Sequence, residues 1–203
     1  MKDIFASNLF SPSDTKLRQI VDLKIKNVIW VASNCVNFRF KIVRKLRSLI
    51  DVDIYGKCGN LKCSKSECNE LFNSTYKFYL AFENSMCPDY VTEKVFKVLD
   101  YNIIPVVLNG ANMADFLPPK SYIDANSFKS VKELADYLKF LANNTEEYMK
   151  YFSWKEQYKL WKGKVNLCKI CEKVNDKKIL AEGKTVKNFL WWHTNSKCTK
   201  PKI

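Results

Sequence analysis

Four short apolar runs, separated by stretches of helical spacing, limit what this chain can fold into. Residues 28–32, 52–55, 78–82 and 103–108 are rich in β-branched and aromatic side chains. They are too short for buried helices, so each reads as a strand. Between the first two, Phe40, Val43, Leu46 and Ile50 recur at helical spacing with Lys and Arg between them. Val91, Val95, Val98 and Leu99 repeat that spacing and predict a helix between the third and fourth strands. Further on, Ser130 and Glu133 form a capping box, followed by one apolar face of Val131, Leu134, Ala135, Leu138, Leu141 and Ala142. Residues 148–161 are aromatic-rich and are expected to be a helix, and the polar, cysteine-rich residues 57–75 a pinned loop or short helix. Alternating apolar strands and helices predict an α/β fold, a Rossmann-like parallel sheet with helices on both faces.

A chain of 203 residues with 47% hydrophobic side chains makes one domain, or two small ones, with a real core. Its net charge of +13 favours an anionic partner: nucleic acid, anionic lipid or a phosphorylated small molecule. A lysine-rich solvated surface accounts for the charge equally well. The lysines are spread along the chain, which argues against a nucleic-acid-binding arm. There is one histidine, His193, beside Trp191 and Trp192 in the basic tail. The eight cysteines and the sequons at Asn73 and Asn143 point together to an oxidising lumen. Cys58, Cys63, Cys68, Cys87, Cys168, Cys171 and Cys198 are the disulfide candidates; their spacing fits a zinc site poorly, and their connectivity stays open. Residues 1–26 contain no signal-peptide core and no run long enough to span a bilayer, so the lumenal reading expects a chain incomplete at its N-terminus.

No G-x-G-x-x-G, Walker A loop or H-E-x-x-H occurs. Parallel sheets bind ligands at the carboxyl ends of their strands, which selects the connections 33–38 and 83–90. The second connection holds Glu83-Asn84-Ser85 and leads into Tyr90-Val91-Thr92-Glu93-Lys94. A lysine in the first turn of a helix opposes the dipole, and an anionic ligand gives it a reason to be there. Lys94 then neutralises a phosphate, Glu93 accepts from sugar hydroxyls, and Asn84 bonds in either sense. The plainer alternative is a capped helix end with Glu93 and Lys94 in solvent. Arg39, early in the helix after the first strand, reaches the same pocket from the other side; otherwise it is one more basic residue beside Lys41, Arg44, Lys45 and Arg47. Asp51-Val52-Asp53 has the letters of a metal motif but lies within a strand and is read as structural, so no metal site is expected.

The stretch from Tyr76 to Lys94, Y-K-F-Y-L-A-F-E-N-S followed by D-Y-V-T-E-K, closely resembles the signature of the α-1,3/4-fucosyltransferases. Trp30-Val31-Ala32-Ser33-Asn34-Cys35 is similar to the family's W-V-x-S-N-C strand, and Val52–Gly59 to its V-D-I-Y-G-x-C-G segment. Pro105-Val106-Val107, the segment from Pro118 to Ile123, Tyr151-Phe152-x-Trp154-Lys155 and Cys168-x-x-Cys171 also fit, so the resemblance covers about residues 28–198. It implies the C-terminal, donor-binding half of a two-domain GT-B glycosyltransferase that transfers fucose from GDP-fucose to a glycan N-acetylglucosamine with inversion. On that basis residues 1–27 are a linker from an acceptor domain, 28–161 the GDP-fucose-binding domain, and 162–203 a basic cysteine-containing tail. Arg39, Asn84, Tyr90, Glu93 and Lys94 would line the donor pocket. No catalytic residue is named, because the general base is expected in the acceptor half. The resemblance implies no required cofactor, with Mn2+ at most a stimulant, and a glycan acceptor rather than nucleic acid as partner. It also implies a Golgi membrane location, lumenal, with a type II anchor in the full-length form. The competing readings are a basic nucleic-acid-binding module, another nucleotide-sugar transferase, and an inactive fucosyltransferase remnant.

Overall fold

The computed structural model describes residues 15–35, 38–160, 167–183 and 198–203. Five strands form one sheet: β1 (Lys26–Val31), β2 (Val52–Tyr55), β3 (Tyr76–Phe82), β4 (Ile104–Leu108) and β5 (Ile123–Asp124). Every pairing is parallel, and the order across the sheet is β2-β1-β3-β4-β5. The α-helices of the described residues are α1 (Thr15–Asp22), α2 (Phe38–Arg47), α3 (Lys65–Glu70), α4 (Glu93–Phe96), α5 (Val131–Ala142), α6 (Thr145–Met149), α7 (Leu167–Asn175) and α8 (Lys177–Ala181).

The two-residue side-chain period divides each strand between two cores. Val28, Trp30, Phe78, Leu80, Phe82, Ile104, Val106 and Leu108 face a core shared with Val43, Leu46, Leu134, Leu138 and Tyr148. Ile29, Tyr79, Ala81 and Val107 face the opposite one, with Phe72, Val95, Val98 and Trp154. Burial on both faces explains why the strands read as unbroken apolar runs. On α5, Ser130 Oγ accepts the Glu133 amide as the capping box requires, but the Glu133 carboxylate accepts from the amide of Lys129, one residue earlier.

Several expectations change. The helix expected across Val91, Val95, Val98 and Leu99 is a single turn, α4, followed by irregular turns that still bury Val95, Val98 and Leu99. The apolar pattern reported burial there, not helix length. The aromatic stretch after Tyr148 is a short α6 continued by a 3-10 segment, Lys150–Glu156, and residues 161–166 lie outside the described part. Residues 15–22, read as part of a linker, form α1, whose Leu17 and Val21 are buried at helical spacing. β5 was missed because two residues leave no periodicity to read.

Three disulfides join Cys35 to Cys58, Cys63 to Cys68 and Cys87 to Cys198. Cys35, absent from the candidates, pairs because Val31 and Tyr55 are register partners, so the loops after β1 and β2 leave the sheet side by side. Cys168 and Cys171 take no part in these bridges: they sit three residues apart on the surface of α7, which carries both into solvent. The cluster Trp191-Trp192-His193 lies outside the described residues.

Candidate functional site

The order β2-β1-β3 means that the chain leaves β1 toward one side and later returns to its other side. The crevice between the carboxyl ends of β1 and β3 is therefore the topological switch point, where such sheets bind ligands. The loops after β1 and β3 meet there, with Asn34 Nδ2 donating to Asn84 Oδ1 at 3.3 Å.

Arg39 is built into this junction from the first turn of α2. One guanidinium nitrogen donates to the Phe82 carbonyl at 3.0 Å; the other donates to the Asn34 carbonyl at 3.2 Å and to Asn84 Oδ1 at 2.8 Å. The guanidinium also lies 5.8 Å from the centre of the Trp30 ring. Only 4% of the residue is exposed. Burial holds its pKa below the usual arginine value, opposed by the negative charge of Glu83; a guanidinium nevertheless stays charged. Arg39 is thus a buried cation between the loops that leave β1 and β3, unlike the other basic residues of α2.

Glu83 is the residue that sequence reasoning missed. It is 1% exposed, and its amide donates to the Leu108 carbonyl. Its Oε1 accepts the Thr92 amide and hydroxyl, each at 2.8 Å, while Oε2 accepts the Thr92 hydroxyl at 2.9 Å and Lys94 Nζ at 2.9 Å. Lys94 Nζ also donates to Thr92 Oγ1 at 2.7 Å. The position of Lys94 is therefore explained first by a protein carboxylate, and the dipole of a four-residue helix adds little. The sequence carries little signal for this, because an acid at the start of a polar loop reads as solvated; once buried, its carboxylate needs a partner.

The structure brings Arg39, Asn84 and Lys94 around Phe82-Glu83-Asn84. Tyr90, 37% exposed, and Glu93, whose side chain is 78% exposed, stand outside that cluster; Glu93 lies 3.9 Å from Lys94 Nζ. Arg39, Glu83 and Lys94 carry one net positive charge among them, with the exposed Glu93 carboxylate at the edge of the group; the two cations are a setting for an anionic oxygen ligand. Asp53 is occupied elsewhere, accepting from Lys26 Nζ at 2.6 Å and from the Tyr76 hydroxyl, which depresses its pKa. Among the described residues, no three His, Cys, Asp or Glu side chains group as metal ligands.

Residues 21–192 match the family model for the C-terminal part of glycosyltransferase family 10, the fucosyltransferases. The chain belongs to this family. Alpha-(1,3)-fucosyltransferase C of Drosophila melanogaster is 42% identical over 157 residues, 75% of this chain and 37% of that protein. Alpha-(1,3)-fucosyltransferase fut-1 of Caenorhabditis elegans is 44% identical over 155 residues, 71% of this chain and 36% of its own length. A crystal structure of an α1,3-fucosyltransferase with GDP-fucose superimposes with a TM-score of 0.62 at 26% identity, covering 81% of this chain and 49% of that one. The family 10 chain described here therefore spans about half, or less, of these relatives. Its five-stranded parallel sheet is the fold of the matched half. The nucleic-acid-binding alternative has no support in these likenesses.

Proposed function

We propose that this chain is the donor-binding part of an α-1,3-fucosyltransferase, moving fucose from GDP-fucose to an N-acetylglucosamine of a glycan with inversion at C1. The observation that carries the reading is the buried Arg39 beside Asn84 and Lys94 at the switch point of a family 10 sheet. The GDP-fucose named for the solved relative is the donor this crevice suits.

In this reading Arg39 and Lys94 hold the diphosphate. As an acceptor hydroxyl attacks C1, the bond from C1 to the diphosphate oxygen breaks, and negative charge grows on the leaving group. Two fixed cations already in place stabilise that charge without reorganising. Glu93 and Tyr90, at the open mouth, meet the sugar and nucleoside, and Asn84 orients the donor. The hydroxyl proton passes to a carboxylate base of the acceptor-binding half, and positive character spreads over C1 and the ring oxygen. The reading requires no cofactor, with Mn2+ at most a stimulant. A Golgi lumenal location with a membrane anchor on the full-length form agrees with the three disulfides and the two sequons.

A nucleotide panel tests the proposal. GDP and GDP-fucose should raise the thermal midpoint of the chain, and UDP and ADP should not. Lys94→Ala should weaken GDP binding about 10- to 100-fold, the loss of one charge-assisted phosphate contact. Equal shifts with all four nucleotides, or none from folded protein, would remove the donor assignment.

A further inference from the structure

The loop from Glu83 to Thr92 is held from a direction that its own sequence does not reveal. The disulfide between Cys87 and Cys198 ties it to a segment 111 residues away. The next residue, Thr199, donates its amide to the Met86 carbonyl at 2.8 Å, and its hydroxyl lies 3.4 Å from the same oxygen. Ile203 then packs against the core that contains Met86. The backbone of Gly110 also lies so close that an added Cβ would sit 2.5 Å from the Met86 carbonyl group. Met86 and Cys87 are thus held by both the loop after β4 and the C-terminal segment. Asp89 then turns the chain with φ 59°, a left-handed conformation that aspartate tolerates better than most residues, and delivers Tyr90 to Lys94 to the crevice.

We propose that residues 198–203 form a positioning strap for the donor loop, with Cys198 and Thr199 acting through Met86 and Cys87 on Tyr90, Thr92 and Lys94. This rests on the nucleotide reading of that loop. The strap's described contacts with the loop fall on Met86 and Cys87. Its effect is preorganisation: a loop fixed before the ligand arrives loses less freedom on binding. A strap that served only stability would have no need to meet the chain at the connection leading to Lys94.

Two variants of the full 203-residue chain separate positioning from plain stabilisation. Thr199→Pro keeps the disulfide and removes the amide donor; Cys87→Ser with Cys198→Ser removes the bridge. Cys63→Ser with Cys68→Ser, a bridge away from the loop, is the control. Hydrogen exchange of residues 83–94 and titration with GDP are the readouts. Both strap variants should speed exchange in the loop about tenfold, leave the central amides of β1 and β3 protected, and raise the Kd for GDP about fivefold, as expected for losing roughly one hydrogen bond of preorganisation. The control should change neither. Unchanged exchange and affinity in folded variants would overturn the strap, and so would acceleration spread evenly over the sheet. Loop-confined acceleration in a chain that binds no GDP even as wild type would support the strap and remove the nucleotide reading.

Discussion

Glu83, 1% exposed at the end of β3, holds the loop that carries Thr92 and Lys94. Its carboxylate joins Thr92 and Lys94 to the end of β3, so removing its charge weakens the hydrogen bonds to the part-buried Lys94 ammonium and to the Thr92 amide. Glu83→Gln should cost about 1–3 kcal/mol in urea unfolding and also weaken GDP binding, although Glu83 is placed behind Lys94. Lys24 offers a second test, through pH. It is 4% exposed and donates to the carbonyls of Phe72 and Tyr76; burial, aided by Lys77 and opposed by Glu70, lowers its pKa to about 7. Between about pH 7 and the unfolded value of 10.5 the unfolded chain holds the extra proton, so stability rises with pH across that window and flattens below it. Lys155, lowered to about 8 by burial, adds a slope of the same sign at higher pH. Urea midpoints at pH 7, 8 and 9 should climb, and Lys24→Met should remove part of the climb. Arg39, Asn84 and Lys94 were legible in the sequence through motif and sheet logic. Glu83 was not, because an acid at the start of a polar loop looks solvated until the loop is seen folded over it.

Among the elements, the four long strands were legible because burial on both faces leaves no polar alternation to confuse them. Helix length was less legible. Val91 to Leu99 keep helical spacing, yet the chain makes one turn at α4 and then packs its apolar side chains from irregular turns. The Cys35–Cys58 bridge needed strand register, which spacing alone does not supply. The close approach of Gly110 to Met86 and Cys87 gives a prediction at this scale. Gly110→Ala forces apart two backbone segments with no flexible side chain to yield, and should destabilise the chain by about 1–3 kcal/mol while weakening GDP binding. Gly183→Ala, whose nearest neighbour would be 3.2 Å away at the exposed end of α8, should be nearly silent in both assays.

At the scale of the whole molecule, the +13 charge and the Arg39–Lys94 crevice act at different ranges. The diffuse surface charge attracts any anion and is screened by salt, whereas the buried Arg39 and the part-buried Lys94 are screened less. Raising ionic strength should therefore weaken GDP binding only modestly and leave the preference for GDP over UDP intact. The chain spans less than two thirds of these relatives, and the function proposed for it is donor binding between the carboxyl ends of β1 and β3. Mapping GDP onto the chain by amide chemical shifts, with 15N-labelled protein at increasing nucleotide concentration, tests it most directly. Shifts should concentrate at Ser33–Cys35, Arg39 and Glu83–Lys94, around the carboxyl ends of β1 and β3. Shifts centred elsewhere, or scattered over the lysine-rich surface, would contradict the assignment of this crevice as the donor site.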